Sequence, residues 1–436
     1  MDKKEVAKNI FLRSVESVKP DQLILKSVKV CNSLLMIEDL IFDLKTIQNI
    51  YVVGVGKASA LMGQAIEKIL LNKITDGHIV TKYGHGCSLQ KISLSEAGHP
   101  IPDENGVKGT KKIVEIVTKA TANDLIICLI SGGGSALLAD YPEGSSLSEL
   151  KDLSNLLLKS GADITEINTI RKHFSGVKGG NLARIAYPAT MVSLILSDVI
   201  GDPLDVIASG PTTYDMSTFQ NSYDSLNKYH LIDKISTNLL KRLQDGINGS
   251  IAENPKPGDN VLTKTYNKII GNNLIALKSA EKIARSFGYI TEIISDKMQG
   301  MTDDIIKNII DLSLEKKNHT NQPTCLLFGG EPTVKVIGTG LGGRNQHIAL
   351  EATLLLRGKE DMVFLSAGTD GSDGPTDAAG AVVDVHTYIN AENSGIPVEE
   401  YLRNFNSYNF FKNSAEHIIT GPTMTNVMDI MIVLIN

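Results

Sequence analysis

Short runs of Val, Ile and Leu alternate along the chain with longer segments of helical period. In α/β proteins such runs form buried parallel strands, and the longer segments form the helices that cross between them. The spacing of Asp163 and Glu166 is that of a capping box, which predicts a helix start at this point. The first half is therefore predicted to have strands at Ile50–Val55, His78–Thr81, Asp124–Ile130 and Thr190–Leu196, and helices near 57–71, 105–120 and 164–174.

A polar segment interrupts this pattern between Asp245 and Asp259, where three Gly and two Pro occur with almost no apolar residues. Such composition is typical of a linker. We predict domains at 1–248 and 262–436, joined by a linker at 249–261. The second is expected to be another α/β domain, with strands near Asn267–Gly271, Tyr289–Ile294, Thr324–Phe328, Val334–Val336, Met362–Ser366 and Ile430–Ile435.

Composition narrows the class of protein. The chain has 436 residues, of which 42% are hydrophobic and 21% charged, which predicts a globular protein with more than one domain. Its formal net charge of −6 argues against a nucleic-acid or membrane-surface partner. The four cysteines are widely spaced, which disfavours a zinc site or disulfide framework. With no signal peptide or membrane-spanning run in the sequence, a cytoplasmic location is expected.

The segment 52–59 places Gly54, Gly56 and Lys57 at a predicted strand-to-helix turn. Backbone amides and an ammonium group at such a turn can bind an anion. The segment does not match the Walker A pattern. It also departs from a dinucleotide-binding fingerprint, because Ser59 stands where that fingerprint has its third Gly or Ala. A tight turn with a solvated lysine is an equally good interpretation.

A second glycine-rich segment follows the most apolar strand and consists of Ser131, Gly132, Gly133, Gly134 and Ser135. Three glycines leave the backbone open to close approach by a phosphate group. A flexible connection is the alternative interpretation. Because glycines beside a buried strand cost conformational entropy, ligand binding is favoured.

Asp198 and Asp202 follow another predicted strand, four residues apart in a turn with Gly and Pro. Carboxylate oxygens are ligands that suit Mg²⁺. Aspartates are also common turn formers, so either residue alone is better explained by local hydrogen bonding.

The second half has polar residues in comparable positions. Glu331 follows a predicted strand, and Arg344 leaves a glycine-rich turn, where a guanidinium could grip a carboxylate or phosphate. Asp370, Asp373 and Asp377 lie in a Gly/Pro loop that lacks EF-hand spacing. Three carboxylates among small residues favour a cation or a polar substrate, and a simple solvated turn is the alternative. The histidines have no metal-binding spacing and are assigned no chemistry.

Together these segments resemble the glycerate 2-kinase family, whose members have often been labelled hydroxypyruvate reductases. The resemblance spans nearly the whole chain. It rests on the residues at 53–58, 96–100, 131–136, 171–180, 196–203, 329–333, 342–346, 368–377 and 421–427.

The resemblance implies ATP- and Mg²⁺-dependent phosphorylation of D-glycerate at its 2-hydroxyl group. It also implies an N-terminal Rossmann-like three-layer domain and a smaller C-terminal α/β domain, with the active site in the cleft between them. Lys57 and Arg344 carry over as active-site residues. The expected partner is the small-molecule substrate, with no nucleic acid and no membrane, and a homo-oligomer is left open.

These expectations assign roles to individual residues. ATP phosphates would lie on Gly132–Ser135, and Lys57 would neutralise the transferred group. Gly54, Gly56 and Ser131 are also assigned to nucleotide binding. Asp198, with Asp202 behind it, would hold Mg²⁺. Arg344 would bind the glycerate carboxylate, with Glu331 and Asn345 also in the substrate site. Either Asp370 or Glu331 would orient the acceptor hydroxyl, and the sequence does not choose between them.

Two other functions remain open at this stage. The partial fingerprint at 54–59 allows an NAD(P)-dependent hydroxypyruvate reductase, although no histidine and carboxylate pair for hydride transfer can be assigned. A sugar-acid or nucleotide sensor without turnover is the second, because a fold alone does not establish catalysis.

Overall fold

The structure is a computed structural model, and it describes residues 2–319, 322–412, 414 and 416–435. The chain divides into two compact units. The central unit comprises Leu23–Ile270, and the terminal unit comprises Met1–Gln22 together with Gly271–Asn436. Among the described residues, none of the helices combines the length and apolar composition needed to cross a bilayer.

The helices of the described residues are α1 (Lys3–Ser17), α2 (Pro20–Ser27), α3 (Ser59–Leu70), α4 (Glu104–Thr118), α5 (Gly134–Leu137), α6 (Leu147–Ser160), α7 (Ile164–His173), α8 (Asn181–Ala186), α9 (Phe219–Lys228), α10 (Thr237–Ile247), α11 (Asn273–Ser286), α12 (Thr302–His319), α13 (Arg344–Leu355), α14 (Val385–Asn393), α15 (Val398–Arg403) and α16 (Ser407–Phe411). The strands are β1 (Val28–Cys31), β2 (Leu34–Ile37), β3 (Leu40–Asp43), β4 (Ile50–Val55), β5 (Ile74–Lys82), β6 (Ser93–Ala97), β7 (Leu125–Ile130), β8 (Thr190–Leu196), β9 (Thr265–Gly271), β10 (Ile290–Met301), β11 (Thr324–Thr333), β12 (Met362–Gly368), β13 (Gly380–Asp384), β14 (His417–Ile418) and β15 (Asp429–Ile435).

The central unit is built on a six-stranded sheet in the order β6-β5-β4-β7-β8-β9. The pairs from β6 to β8 are parallel, and β4 and β7 are buried along their whole length. Apolar residues of α4 and α8 pack on one face, while α3 packs against Ile79 on the other. A small antiparallel sheet, β1-β2-β3, precedes it. This three-layer arrangement confirms the predicted α/β class.

The terminal unit contains a mixed six-stranded sheet in the order β10-β11-β15-β12-β13-β14. Only β10 and β11 pair in parallel, and the other pairs are antiparallel. Helices α12 and α13 cover one face through an aliphatic and aromatic core that includes Ile309, Phe364 and Phe411. Helices α1 and α11 pack on each other and against strands of the same sheet. The second unit is therefore also an α/β structure.

Local sequence signals located many of the helices and strands but did not show which sheet each strand joins. The predicted capping box is present, since Asp163 accepts from the Glu166 amide and Glu166 accepts from the Asp163 amide. Strand β9, predicted to open the second domain, belongs instead to the sheet of the central unit. The strand predicted at 334–336 does not form. These residues come directly after β11, which ends at Thr333.

The predicted linker is also packed into the central unit. Asn254 is 4% exposed and donates to Asp215 at 2.8 Å, while its oxygen accepts from Asn181 at 2.8 Å. The central unit thus ends at residue 270, after the linker predicted at 249–261, and α1 belongs to the terminal unit. Contacts between distant segments determine both the packing of the predicted linker and the unit to which α1 belongs. Such contacts cannot be seen in local composition.

Candidate active site

The turn between β4 and α3 is fastened to the glycine-rich loop after β7. The Lys57 amide donates to the Gly132 carbonyl at 2.9 Å, and the Ala58 amide donates to the Ser131 hydroxyl at 3.0 Å. Gly56 has a φ of +129°, and a Cβ there would overlap Ser131. Only glycine fits this close approach of two backbones. The two segments predicted to bind phosphate therefore form one structure.

Gly54 has a different environment. It lies within β4, and a Cβ there would come within 3.0 Å of the Leu129 carbonyl oxygen and 3.1 Å of Ile79. Packing within the sheet explains this glycine, and its assignment to nucleotide binding stays a prediction.

The loop of residues 131–135 gathers charged side chains around its glycines. A Cβ on Gly132 would overlap the Asp198 carboxylate, and one on Gly133 would lie 3.2 Å from Cε of Lys57. Gly133 has a φ of +82° and precedes the short helix α5. Ser135 shares a hydrogen bond of 2.8 Å with Ser209. The fold thus brings Lys57 and Asp198, which are far apart in sequence, to the same glycines.

His99 is a member of this cluster that the sequence did not identify. A Cβ on Gly133 would lie 3.0 Å from its Nε2 atom. Burial, followed by the charges of Lys57 and Lys82, lowers the pKa of His99 to about 4. The ring is therefore neutral at pH 7 and can donate a hydrogen bond to an anion without adding charge. The signal was its place in the segment 96–100, which carries part of the family resemblance.

Asp198 and Asp202 leave the end of β8 in the same turn. Asp202 has a φ of +55°, and its amide donates to the Val199 carbonyl at 3.1 Å. Within the described residues, no group of three or more His, Cys, Asp or Glu side chains could hold a metal by itself. Magnesium usually binds one or two carboxylates and completes its shell with water and substrate phosphates. Asp198, whose carboxylate lies against Gly132, is a ligand of this kind.

Arg344 is the centre of a second cluster, in the terminal unit. It begins α13 and donates through Nε to Asp429 at 2.6 Å, through Nη2 to Asp429 at 3.2 Å and through Nη1 to Glu331 at 2.8 Å. A guanidinium has five N–H groups. One N–H on each terminal nitrogen is left over and can bind a substrate oxyanion.

Asp429 was not predicted as a site residue. It opens β15 opposite Gly330 of β11 and Gly368 of β12, and its side chain is 1% exposed. A Cβ on Gly368 would lie 3.4 Å from the Asp429 carboxylate and 3.3 Å from that of Asp370. Asp429 sits in an ordinary strand sequence, so only the pairing of β15 between β11 and β12 identifies it.

Other predicted residues in this unit have structural contacts. Asp373 is buried and accepts from the Asn345 amide at 3.0 Å and the Gln346 amide at 2.8 Å, at the start of α13. Asn345 is 2% exposed, and its side-chain oxygen accepts from Ser366 at 2.6 Å. These contacts hold Arg344 in position. The assignment of Asn345 to substrate binding stays a prediction.

Asp370 and Glu331, the alternative residues for orienting the acceptor hydroxyl, differ in their contacts. Asp370 accepts from the Ser372 amide at 3.1 Å, whereas Glu331 has an exposed side chain paired with Arg344. Both carboxylates lie near the Arg344 and Asp429 pair, and the choice between them stays open.

The Arg344 and Asp429 pair predicts an unusual dependence of stability on pH. Burial raises the pKa of Asp429 to about 6 against the lowering effect of Arg344. An unfolded aspartate has a pKa of about 3.9, so between about pH 4 and 6 the folded state binds the extra proton. Stability contributed by this group is therefore present below about pH 4 and is lost as pH rises through 6.

We expect the unfolding free energy of the wild type, relative to Asp429→Asn, to fall by roughly 2 to 3 kcal/mol between about pH 4 and 7. Urea unfolding of both proteins at the two pH values measures this change, and taking the difference cancels other titrations. The exposed substitution Asp233→Asn serves as the control. A difference between wild type and Asp429→Asn that does not vary with pH would contradict the prediction.

Two family descriptions cover most of the chain. A domain of unknown function, DUF4147, matches residues 6–244, and the MOFRL family matches residues 324–429. A glycerate 2-kinase from Pyrococcus horikoshii is 40% identical over 100% of this chain and 98% of its own length. A D-glycerate 2-kinase from Thermotoga maritima is 41% identical over 99% of this chain and 98% of its own.

The fold agrees with these similarities. The crystal structure of glycerate kinase from Thermotoga maritima superimposes with a TM-score of 0.90 at 40% identity, covering 99% of each chain. The chain belongs to the glycerate 2-kinase family, which confirms the resemblance seen in its motifs.

Proposed function

We propose that this protein transfers the γ-phosphoryl group of ATP to the 2-hydroxyl group of D-glycerate, with Mg²⁺ present. The observation that carries the proposal is the meeting of Lys57 and Asp198 at Gly132 and Gly133. A cation, a carboxylate and an open backbone at one point are the requirements of phosphoryl transfer, in which positioning and charge neutralisation dominate. The names of the relatives support glycerate as the acceptor.

The nucleotide is assigned to the central unit. The backbone of residues 132–135 binds its phosphate oxygens, and Lys57 neutralises the charge that develops on the transferred group. His99, neutral at pH 7, adds a hydrogen bond beside the same glycine. In the reaction the bond between the γ-phosphorus and the bridging oxygen of ADP breaks, and a bond from the glycerate oxygen to phosphorus forms.

The metal assignment rests on Asp198, with Asp202 behind it. When bound, Mg²⁺ supplies positive charge to the phosphate oxygens and helps to align them. The role of the two aspartates in this proposal is to keep the ion at the glycine loop.

The acceptor is assigned to the terminal unit. Arg344 binds the glycerate carboxylate through the N–H groups that Asp429 and Glu331 do not use. Glu331 or Asp370 orients the attacking hydroxyl and receives its proton. The buried contacts of Asp373 and Asn345 keep the start of α13, and with it Arg344, in place.

A cytoplasmic location is part of the proposal. The described cysteines, Cys31, Cys87, Cys128 and Cys325, are all free thiols, which suits a reducing compartment.

Phosphorus NMR of the protein with ATP, Mg²⁺ and D-glycerate tests the function and the position of transfer together. We expect ADP and 2-phosphoglycerate to appear together in equal amounts. Formation of 3-phosphoglycerate would overturn the position of transfer, and ATP left unchanged by folded protein would overturn the kinase function. In a parallel assay with hydroxypyruvate, NADH should keep its absorbance, since its oxidation would favour the reductase.

A further inference from the structure

A cavity in the central unit borders the glycine loop. Its volume is about 60 Å³, and Ser135 of the loop forms part of its wall. A water molecule needs about 10–15 Å³ measured in this way, so the space holds several water-sized groups. Leu153, Leu157 and Phe174, each almost fully buried, form an apolar side of the cavity. A small group could thus enter a partly dry space next to the proposed phosphate site.

Arg171, in the last turn of α7, lines this cavity. Across residues 2–319, 322–412, 414 and 416–435, the Arg171 guanidinium has no hydrogen bond or ion pair with another protein group. Burial lowers the pKa of Arg171. A partly buried cation without a partner is costly, which indicates that a ligand supplies the missing anion.

Two neighbouring lysines, unlike Arg171, are paired with carboxylates. Lys172 contacts Asp205 and Asp215, each at 3.2 Å. Lys178, which also lines the cavity, donates to the Leu138 carbonyl and pairs with Asp140 at 3.3 Å. The positive charge of Lys178 is thus matched by Asp140, and the charge of Arg171 remains in excess.

The surroundings of Arg171 favour an oxyanion. An apolar wall lowers the local dielectric constant and strengthens the attraction between opposite charges. A guanidinium presents paired N–H groups that match the two oxygens of a carboxylate or phosphate. Both substrates of the proposed reaction carry such groups.

We propose that Arg171 is a substrate-binding residue that receives an oxyanion, a carboxylate or a phosphate group, in the cavity beside Ser135. This inference rests on the proposed function, because it takes the ligand to be D-glycerate or ATP. It adds a binding residue in the central unit. This residue differs from Lys57 in position, and it differs from Arg344 because it has no partner among the described residues.

Steady-state kinetics of Arg171→Met and Arg171→Lys tests the inference. Methionine keeps the length and apolar contacts of the stem but removes the charge. We expect a rise of about 10- to 100-fold in the KM of one substrate for Arg171→Met, with partial recovery in Arg171→Lys. A rise for D-glycerate identifies the carboxylate, and a rise for ATP identifies a phosphate. KM values for both substrates within about twofold of wild type would overturn the inference.

The control variant is Arg285→Met, which removes an exposed arginine paired with Glu281 within one helix. We expect its KM values to equal those of the wild type. A thermal unfolding curve of Arg171→Met without ligand separates binding from structure. Because Arg171 pairs with no group in the part of the chain that the structure describes, the midpoint should not fall. A clear fall would indicate a structural role and overturn the assignment.

Binding measured without turnover separates this inference from the proposed function. Calorimetric titration with D-glycerate, and with a non-hydrolysable ATP analogue, should show at least tenfold weaker binding of one of them to Arg171→Met than to wild type. That loss would support the inference even if the wild type phosphorylated no glycerate. Equal affinities of wild type and variant for both ligands would overturn it even if the kinase reaction were confirmed.

Discussion

Replacing Lys57 by alanine should lower kcat by about 10²- to 10³-fold without unfolding the protein. The backbone of Lys57 is held by the Gly132 carbonyl, and that hydrogen bond does not depend on the side chain. The substitution therefore removes the ammonium group beside Gly133 and little else. Coupled measurement of ADP release at saturating ATP and D-glycerate gives kcat, and circular dichroism reports on the fold.

Two further variants sharpen the test of Lys57. Lys57→Arg keeps the charge in a larger group and should retain more activity than the alanine variant. Lys119→Ala removes a lysine whose side chain is 61% exposed and should behave as wild type. Near-normal turnover by folded Lys57→Ala would show that the ammonium does not act on the transferred group.

Replacing Asp198 by asparagine should lower kcat by about 10²-fold at ordinary Mg²⁺ concentrations and raise the Mg²⁺ concentration needed for half-maximal rate. Asparagine has nearly the same shape, so it fits against Gly132 where the carboxylate lies, but it carries no negative charge. A weaker metal ligand should be partly compensated by more metal. Initial rates over a Mg²⁺ titration at fixed ATP measure both effects.

Asp202→Asn should show a smaller shift in the Mg²⁺ requirement, since in our proposal Asp202 lies behind Asp198 and supports the metal less directly. Asp233→Asn, an exposed carboxylate on another part of the unit, should show none. If Asp198→Asn loses activity but its Mg²⁺ dependence is that of the wild type, Asp198 acts in some way other than holding the metal.

Local sequence predicted the parts of this protein that depend on neighbouring residues. The buried strands β4, β7, β8 and β15 follow from runs of apolar residues, which have no stable position outside a sheet core. The start of α7 follows from its capping box. The glycine loops are recognisable because only glycine permits positive φ and close backbone approach, and their order along the chain identified the family.

Pairing between distant segments decided the rest. Strand β9 lies next to β8, and α1 packs against α11, although hundreds of residues separate the latter two in sequence. No local pattern encodes which edge of a sheet remains open to a strand, or which face of a sheet remains to be covered by a helix.

The composition of the site shows the same division. Lys57 and Asp198 could be proposed from the sequence because each comes soon after a predicted strand, and Arg344 because it follows a glycine-rich turn. Asp429 and Arg171 could not, since their proposed roles depend on distant residues: Asp429 is a buried carboxylate paired with Arg344, and Arg171 is a cation paired with no carboxylate among the described residues. Sequence by itself thus determined the elements, the loops and the family. Only the tertiary structure decided which charges are matched, because charge matching depends on distances of a few ångströms between segments far apart in the chain.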